Sequence, residues 1–333
     1  MNGTLARFGR RVAPQLVTLA VVVAMIGIVF PGFFDISFAN GRLYGSPIDI
    51  LNRGAPVALL AIGMTLVIAT GGIDLSVGAV MAICGAIAAS CITQGYGLPA
   101  TLLIALGAGL LCGLWNGLLV AVLGIQPIVA TLILMVAGRG IAQLITEGMI
   151  LTFNHAGLAS LGSGSLLWLP TPVVIWICAG ILATLIVRRT ALGMLIEAVG
   201  INRRASMLAG VNARLLIVTA YMVSGLCAAM AGIIVAADIR GADANNAGLF
   251  LELDAILAVV VGGTSLLGGH FSLIASLIGA MIIQAVNTGI LVAGFPPEFN
   301  LVIKACIVLA ILVLQSPALQ GAALLFAHRG DRR

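Results

Sequence analysis

The chain has 333 residues, 61% hydrophobic and only 8% charged, where a soluble domain carries about 25% charged residues. That composition excludes a soluble enzyme and points to an integral membrane protein. The net charge of +5 is no nucleic-acid signature, because the basic residues are distributed by membrane topology, as shown below.

Arg7, Arg10 and Arg11 precede an apolar run from Ala13 to Phe30. The run mimics a signal peptide, but a cut after Ser37-Phe38-Ala39 would lie well beyond it, so it reads as an uncleaved first span. Further apolar windows lie near 50–70, 76–93, 99–123, 127–146, 171–187, 215–237, 251–264, 272–293 and 300–316. The eighth is short, and the second and third are barely separated. The stretch near 318–327 is too short to cross and reads as a surface segment. The expected fold is all-α: one polytopic transmembrane domain over residues 1–333 with about ten helices. Glycine is plentiful at 42 residues, which lets helices approach closely in lipid.

Orientation follows from the basic residues. With an internal N-terminus and an even number of spans, Arg7, Arg10, Arg11, Arg188, Arg189, Arg203, Arg204, Arg214, Arg329, Arg332 and Arg333 face the cytoplasm. Only Arg42, Arg53, Arg139, Arg240 and Lys304 fall toward the outside. Both termini and the polar segment 188–214 are therefore expected in the cytoplasm.

ATGGIDLSVG (69–78) breaks a span at Gly71 and Gly72. Lipid tolerates a broken helix only where it lines a cavity or is buried in protein. One reading has Thr65, Thr70, Asp74 and Ser76 lining a solute pathway; the other is a tight turn with Asp74 as a helix N-cap. The segment is echoed by VVVGGTSLLGGHFSLIASLIGA (259–280), as in transporters built from repeats. The loop 147–170 is polar, Gly/Ser-rich and external.

ADIRGADANNAGLFLELDA (237–255) concentrates Asp238, Asp243, Glu252 and Asp254 around Arg240. Its first half reads as an outward mouth that docks a partner, with Arg240 and Asp243 assigned to the docking, or admits a polyol. Glu252 and Asp254 enter the apolar run, where charge is costly and usually has a purpose, so both are assigned to the pathway. The alternative is a solvated loop whose carboxylates cap the next helix. Arg139 and Lys304 read as snorkelling cations, and Asn116 and Asn287 as bonds between helices.

No catalytic or metal site is expected. The six cysteines lie in apolar segments without C-x-x-C spacing, and H-E-x-x-H is absent. Walker A needs a lysine after glycine, yet the one lysine, Lys304, stands in VIKAC. Any ATP must be bound and hydrolysed by another chain.

The segment 188–214 carries Leu192, Leu195, Ile196 and Val199 on one apolar face and Met207, Leu208 and Val211 on another, interrupted by Gly193, Gly200 and Gly210. This predicts two short amphipathic helices on the cytoplasmic surface, which could also serve as an anchor on anionic lipid. Arg204-Ala205-Ser206-x-x-x-Gly210 resembles the E-A-A-x-x-x-G motif of ABC importer permeases, with arginine replacing the acid. TALGMLIEAVGINRRASMLAGV (190–211), GMTLVIATGGIDLSVG (63–78) and LELDAILAVVVGGTSLLGG (251–269) resemble the monosaccharide branch of that family. Within it, GRLYGSPIDILNRGAPVALLAIG (41–63) and AADIRGADANNAGL (236–249) are most similar to permeases of galactofuranose import.

The resemblance implies a subunit in the bacterial inner membrane that forms the translocation pathway. Its partners would be an ABC ATPase, a periplasmic sugar-binding protein docked near Arg240 and Asp243, and a second permease subunit, identical or paralogous, surrounded by membrane lipid. It also implies that Ala198, Gly200, Asn202, Arg204, Ala205, Ser206 and Gly210 form the ATPase contact. Two rival classes exist. An ion-gradient-driven sugar transporter would use Asp74 or Asp254 as its coupling acid. A membrane enzyme acting on lipid-linked sugar would need a convergent catalytic cluster, which the sequence lacks.

Overall fold

In hydrocarbon every backbone N–H and C=O must be paired within the chain, and among the described residues this protein pairs them mainly in helices. A computed structural model describes residues 2–39, 41–294 and 297–315. The expected cytoplasmic cluster Arg329, Arg332 and Arg333 and the surface stretch 318–327 lie outside the described residues.

Helix α1 (Asn2–Val29) leads through a hairpin, β1 (Ser37–Ala39) with β2 (Arg42–Tyr44), to α2 (Ser46–Arg53) and α3 (Ala55–Ala69). The run α2–α3 bends by 44°. Pro56 explains the break, since it has no N–H to continue the helical ladder. Then come α4 (Val77–Thr93), α5 (Leu98–Ala121) and α6 (Pro127–Ile145). Strand β3 (Leu151–Thr152), α7 (Ala156–Ser163) and the hairpin β4 (Ser165–Leu166) with β5 (Leu169–Pro170) bring the chain to α8 (Thr171–Arg189). Two short helices, α9 (Leu192–Ile201) and α10 (Arg203–Leu208), precede the long α11 (Ala213–Ile239). Strand β6 (Gly241–Ala242), antiparallel to β3, is followed by α12 (Leu251–Val261), α13 (Leu273–Val292) and α14 (Pro297–Gln315).

Helix α11 sits at the centre, and small residues let it approach its neighbours. A Cβ at Gly109 would lie 2.6 Å from Ala229 Cβ, and one at Gly117 would lie 2.9 Å from Val218 Cα. These positions on α5, with Gly113 between them, form the small-residue stripe that lets helices pack closely in lipid. Gly63 on α3 leaves the same room for Ser224 Cα. Around this centre α3 is buried along nearly its whole length, whereas only 17% of the apolar windows of α1 and α8 is buried.

All ten apolar windows read from the sequence fall on helices, but they are not equivalent. Among the described residues six helices are long and apolar enough to cross a membrane, or up to seven if the bent pair counts as one span. The expected eighth span is cut short: α12 has 11 residues, which rise about 16 Å, roughly half of the hydrocarbon core. Gly262 and Gly263 (φ +85°) end it.

The loops sort into two ends. At one, Gly269 N–H bonds to Ala69 O at 3.0 Å and Arg203 reaches Ala121 O at 3.0 Å, gathering the loops after α3, α5 and α12 around α9 and α10. At the other, β3 pairs with β6, and Leu43 N–H bonds to Trp168 O at 3.0 Å.

Candidate pathway and coupling site

The α3–α4 break is a polar knot. Helix α3 closes with Gly71 in the left-handed region (φ +81°), where its N–H bonds to Ile68 O at 2.8 Å and that of Gly72 to Val67 O at 3.1 Å. Glycine is favoured there because a Cβ is penalised at such φ. Asp74 Oδ1 then accepts from Ser76 N–H (3.0 Å) and Ser76 Oγ (2.7 Å), while Oδ2 accepts from Ser224 Oγ on α11 (2.9 Å). Asn116 on α5 donates to Ser76 Oγ at 2.8 Å, as expected of an asparagine joining helices. Thr131 on α6 accepts from Leu75 N–H at 3.2 Å. One carboxylate and its neighbours thus bind the break to three other helices.

This arrangement differs from both sequence readings. Asp74 is not the N-cap of α4; Ser76 holds that position and makes no side-chain cap bond. Thr65, Asp74 and Ser76 are buried, with Thr65 Oγ1 bonded back to Ala61 O at 2.6 Å. Of the four, Thr70 lines an open cavity. That cavity, about 260 Å³, lies at the α9–α10 end and is bounded by Thr70, Gly72, Gly124, Arg203 and Tyr221. Ser224, Tyr221 and Thr131 were not singled out from the sequence. Their signal was available as small or amphipathic polar residues inside apolar helices.

Helix α12 is pinned at three levels. Before its N-terminus, Arg139 on α6 donates to Ala247 O (2.6 Å) and Ala244 O (3.0 Å). In its first turns, Lys304 on α14 bonds to both oxygens of Asp254, at 2.8 and 2.9 Å. At its C-terminus, Gln15 on α1 donates to Gly262 O at 3.2 Å. The snorkelling expected of Arg139 and Lys304 is therefore corrected. Lys304 is buried because a carboxylate awaits it inside, and Arg139 satisfies two carbonyls that no helix ladder reaches. Glu252 is half-buried beside α4, where a Cβ at Gly78 would lie 2.5 Å from its Oε2. Asn287 Oδ1 is buried without a partner among the described residues.

Arg240 and Asp243 share the end opposite α9 and α10. Arg240 is exposed and closes α11 in the left-handed conformation (φ 53°). Asp243 is tied into its own turn: Asn246 Nδ2 donates to it at 2.7 Å, with the Asn245 N–H at 3.0 Å. These bonds, the Asn246 side chain foremost, hold its carboxyl below the usual range.

Helices α9 and α10 form as their spacing predicts. Asn202 joins them as the N-cap of α10, its side chain accepting from Ala205 N–H at 3.0 Å. Gly210 ends the pair at φ +86°, with Val211 N–H bonded to Ser206 O at 3.0 Å. Ile196 and Val199 are buried, as expected, but Met207 and Leu208 project into the open, Leu208 being 91% exposed. The seven expected contact residues divide. Asn202, Arg204, Ala205 and Gly210 are exposed, Ala198 is half-buried, and Ser206 is buried with its Oγ bonded to Asn202 O at 3.0 Å. Gly200 faces inward, where a Cβ would collide with Ala69 O and lie 2.5 Å from Gly269 N. Glu197 on α9 also meets His270 beyond α12, Oε2 to Nδ1 at 3.0 Å.

A multi-pass helical bundle with interrupted helices held by buried polar side chains is the class of a membrane transporter. The chain belongs to the family described as branched-chain amino acid transport system / permease component, whose model matches residues 46–312. It is 67% identical over 303 residues to the galactofuranose transporter permease protein of Escherichia coli (strain K12), covering 91% of this chain and 89% of that one. It is 41% identical over 313 residues to the fructose import permease protein of Bifidobacterium longum (strain NCC 2705), covering 92% and 88%. Against the ribose import permease protein of E. coli (strain K12) identity is 37% over 304 residues, covering 90% and 92%. The chain is a permease, a transport subunit and not an enzyme.

Proposed function

We propose that this chain is the pathway-forming subunit of a binding-protein-dependent ABC importer in the bacterial inner membrane, and that its cargo is the monosaccharide galactofuranose. The cargo rests on the 67% identity to a galactofuranose permease. Although the family description names branched-chain amino acids, the three relatives above are all named for sugars. Residues 1–333 form one transmembrane domain, its ten apolar segments are the spans or half-spans, and both termini are cytoplasmic.

One observation carries the coupling mechanism. The exposed pair α9–α10 packs through Gly200 directly on the backbone of both interruptions, at Ala69 and Gly269. Residues 188–214 are the coupling segment, and a partner ATPase grips Asn202, Arg204, Ala205 and Gly210, together with Leu208. ATP is bound and hydrolysed there, with no cofactor in this chain. Movement of α9 is handed to the ends of α3 and α12, and thereby to the interrupted helices. Gly200 and Ser206 set the shape of the contact, with Ala198 beside them. In the pathway, Thr70 and Glu252 have access to solute, while Thr65, Asp74, Ser76 and Asp254 hold the interruptions in place. A periplasmic sugar-binding protein docks near Arg240 and Asp243, and a second permease subunit, a copy or a paralogue, completes the pathway in the lipid.

The test is reconstitution of the chain with its neighbouring ATPase and binding protein. The expected outcome is copurification and galactofuranose uptake into vesicles that requires ATP. Uptake that persists without the ATPase and collapses with the proton gradient would replace this reading with the gradient-driven one.

A further inference from the structure

We infer that the hairpins β1–β2 and β4–β5 together form a membrane-interface anchor, seated in the lipid headgroup layer at the end of the bundle opposite α9 and α10. The turn of β4–β5 is Leu167-Trp168, with φ of 52° and 67°. A two-residue hairpin turn with both φ values positive normally carries Asn-Gly, because larger side chains are disfavoured in that region. Here the strained positions hold two large apolar side chains, and both point out: Leu167 is 78% and Trp168 69% exposed. Strain kept at an exposed apolar tip signals that the tip has something to contact.

The second hairpin extends the patch. Phe34, Ile36, Phe38 and Tyr44 are also exposed. The two hairpins are joined by the Leu43 N–H to Trp168 O bond (3.0 Å), and Arg42 ties β2 to the end of α7 by donating to Ser163 O at 3.2 Å. The Arg42 guanidinium lies 5.2 Å from the Tyr44 ring centroid.

Position identifies the occupant as lipid. Trp168 stands three residues before α8 and Tyr44 two before α2, so the patch lies at the level where spans begin. It adjoins the two least buried of the candidate spans: β5 leads directly into α8, and the Phe34 ring lies against Gly27 of α1. Tryptophan and tyrosine favour the headgroup level, where one side of the ring is apolar and the other wet. Arg42 supplies a cation at the same level.

The test is depth-dependent fluorescence quenching of the intact permease in phosphatidylcholine/phosphatidylglycerol vesicles. Subtracting the emission of Trp168→Phe from that of the wild type isolates Trp168 without altering Trp115 or Trp176. The expected result is loss of that emission in lipid brominated near the headgroup, with little effect of aqueous iodide. Quenching by iodide and not by lipid would overturn the anchor, as would protection from iodide gained only on adding the binding protein. A second variant separates anchoring from folding. Leu167→Asn with Trp168→Gly relaxes the turn, so thermal stability in detergent should be kept or raised, while part of the stabilisation supplied by lipid is lost. An equal fall in detergent and in vesicles, or no fall in vesicles, also counts against the proposal.

Discussion

Lys304 on α14 and Asp254 on α12 form a bidentate ion pair, 2.8 and 2.9 Å, and both side chains are buried. Removing one partner of such a pair leaves a buried charge without compensation, which costs about 3–5 kcal/mol, whereas replacing both by apolar residues can be nearly neutral. Asp254→Leu or Lys304→Met alone should therefore lower the unfolding free energy by about that amount, and the double variant should recover most of it. Thermal unfolding of the four proteins in one detergent measures the cycle. If the pair serves only stability, the double variant also transports normally. If it holds α12 in register for transport, the double variant is stable but slow.

Asp74 makes the same kind of prediction with hydrogen bonds. It accepts from three donors, on Ser76 and Ser224. An asparagine keeps one oxygen as acceptor and turns its amide toward Ser224, whose hydroxyl can rotate to accept. Asp74→Asn should fold and assemble. Asp74→Ala strands buried donors at about 1–3 kcal/mol each, and its membrane yield should fall. Near-normal uptake by Asp74→Asn would assign the residue to the knot; lost uptake with intact folding would assign its charge to the pathway.

Hydropathy made the helices readable, because burial in lipid demands long apolar runs, and Gly71-Gly72 marked the break for the same reason in reverse. The amphipathic spacing of 192–211 disclosed α9 and α10. What stayed hidden were the partners of charged side chains. Arg139 meets Ala244 and Ala247 across more than a hundred residues, and Lys304 meets Asp254 across fifty. A hydropathy window reports how costly a cation is in lipid, not which carboxylate or carbonyl lies opposite it. Snorkelling is the default for an isolated cation, and only tertiary packing overrides it. Gly200 was found by resemblance, but its inward orientation required the backbone of Ala69 and Gly269.

Leu208 offers a clean test of the docking face. It is 91% exposed, so Leu208→Asp should leave folding within about 0.5 kcal/mol. A charge in the centre of an apolar contact should instead weaken ATPase capture. Pull-down of the ATPase by tagged permease reads this directly, and undiminished capture would move the docking face elsewhere.

Gly200 and Gly210 separate transmission from docking. At Gly200 the added methyl meets the Ala69 carbonyl and the Gly269 N–H, and overpacking of this kind costs about 1–3 kcal/mol. Gly200→Ala should push α9 away from both interruptions, so the ATPase still binds but sugar no longer stimulates it. Around Gly210 there is open space, and the obstacle is φ +86°. Gly210→Ala should cost about 1–2 kcal/mol in the local turn, and Gly210→Asn less, because asparagine tolerates the left-handed region. Both should reduce capture of the ATPase by loosening the end of α10. The paired measurement is copurification against sugar-stimulated hydrolysis. Transmission through Gly200 predicts capture without stimulation, and a Gly200→Ala protein that hydrolyses ATP in response to sugar as the wild type does would remove α9 from the relay.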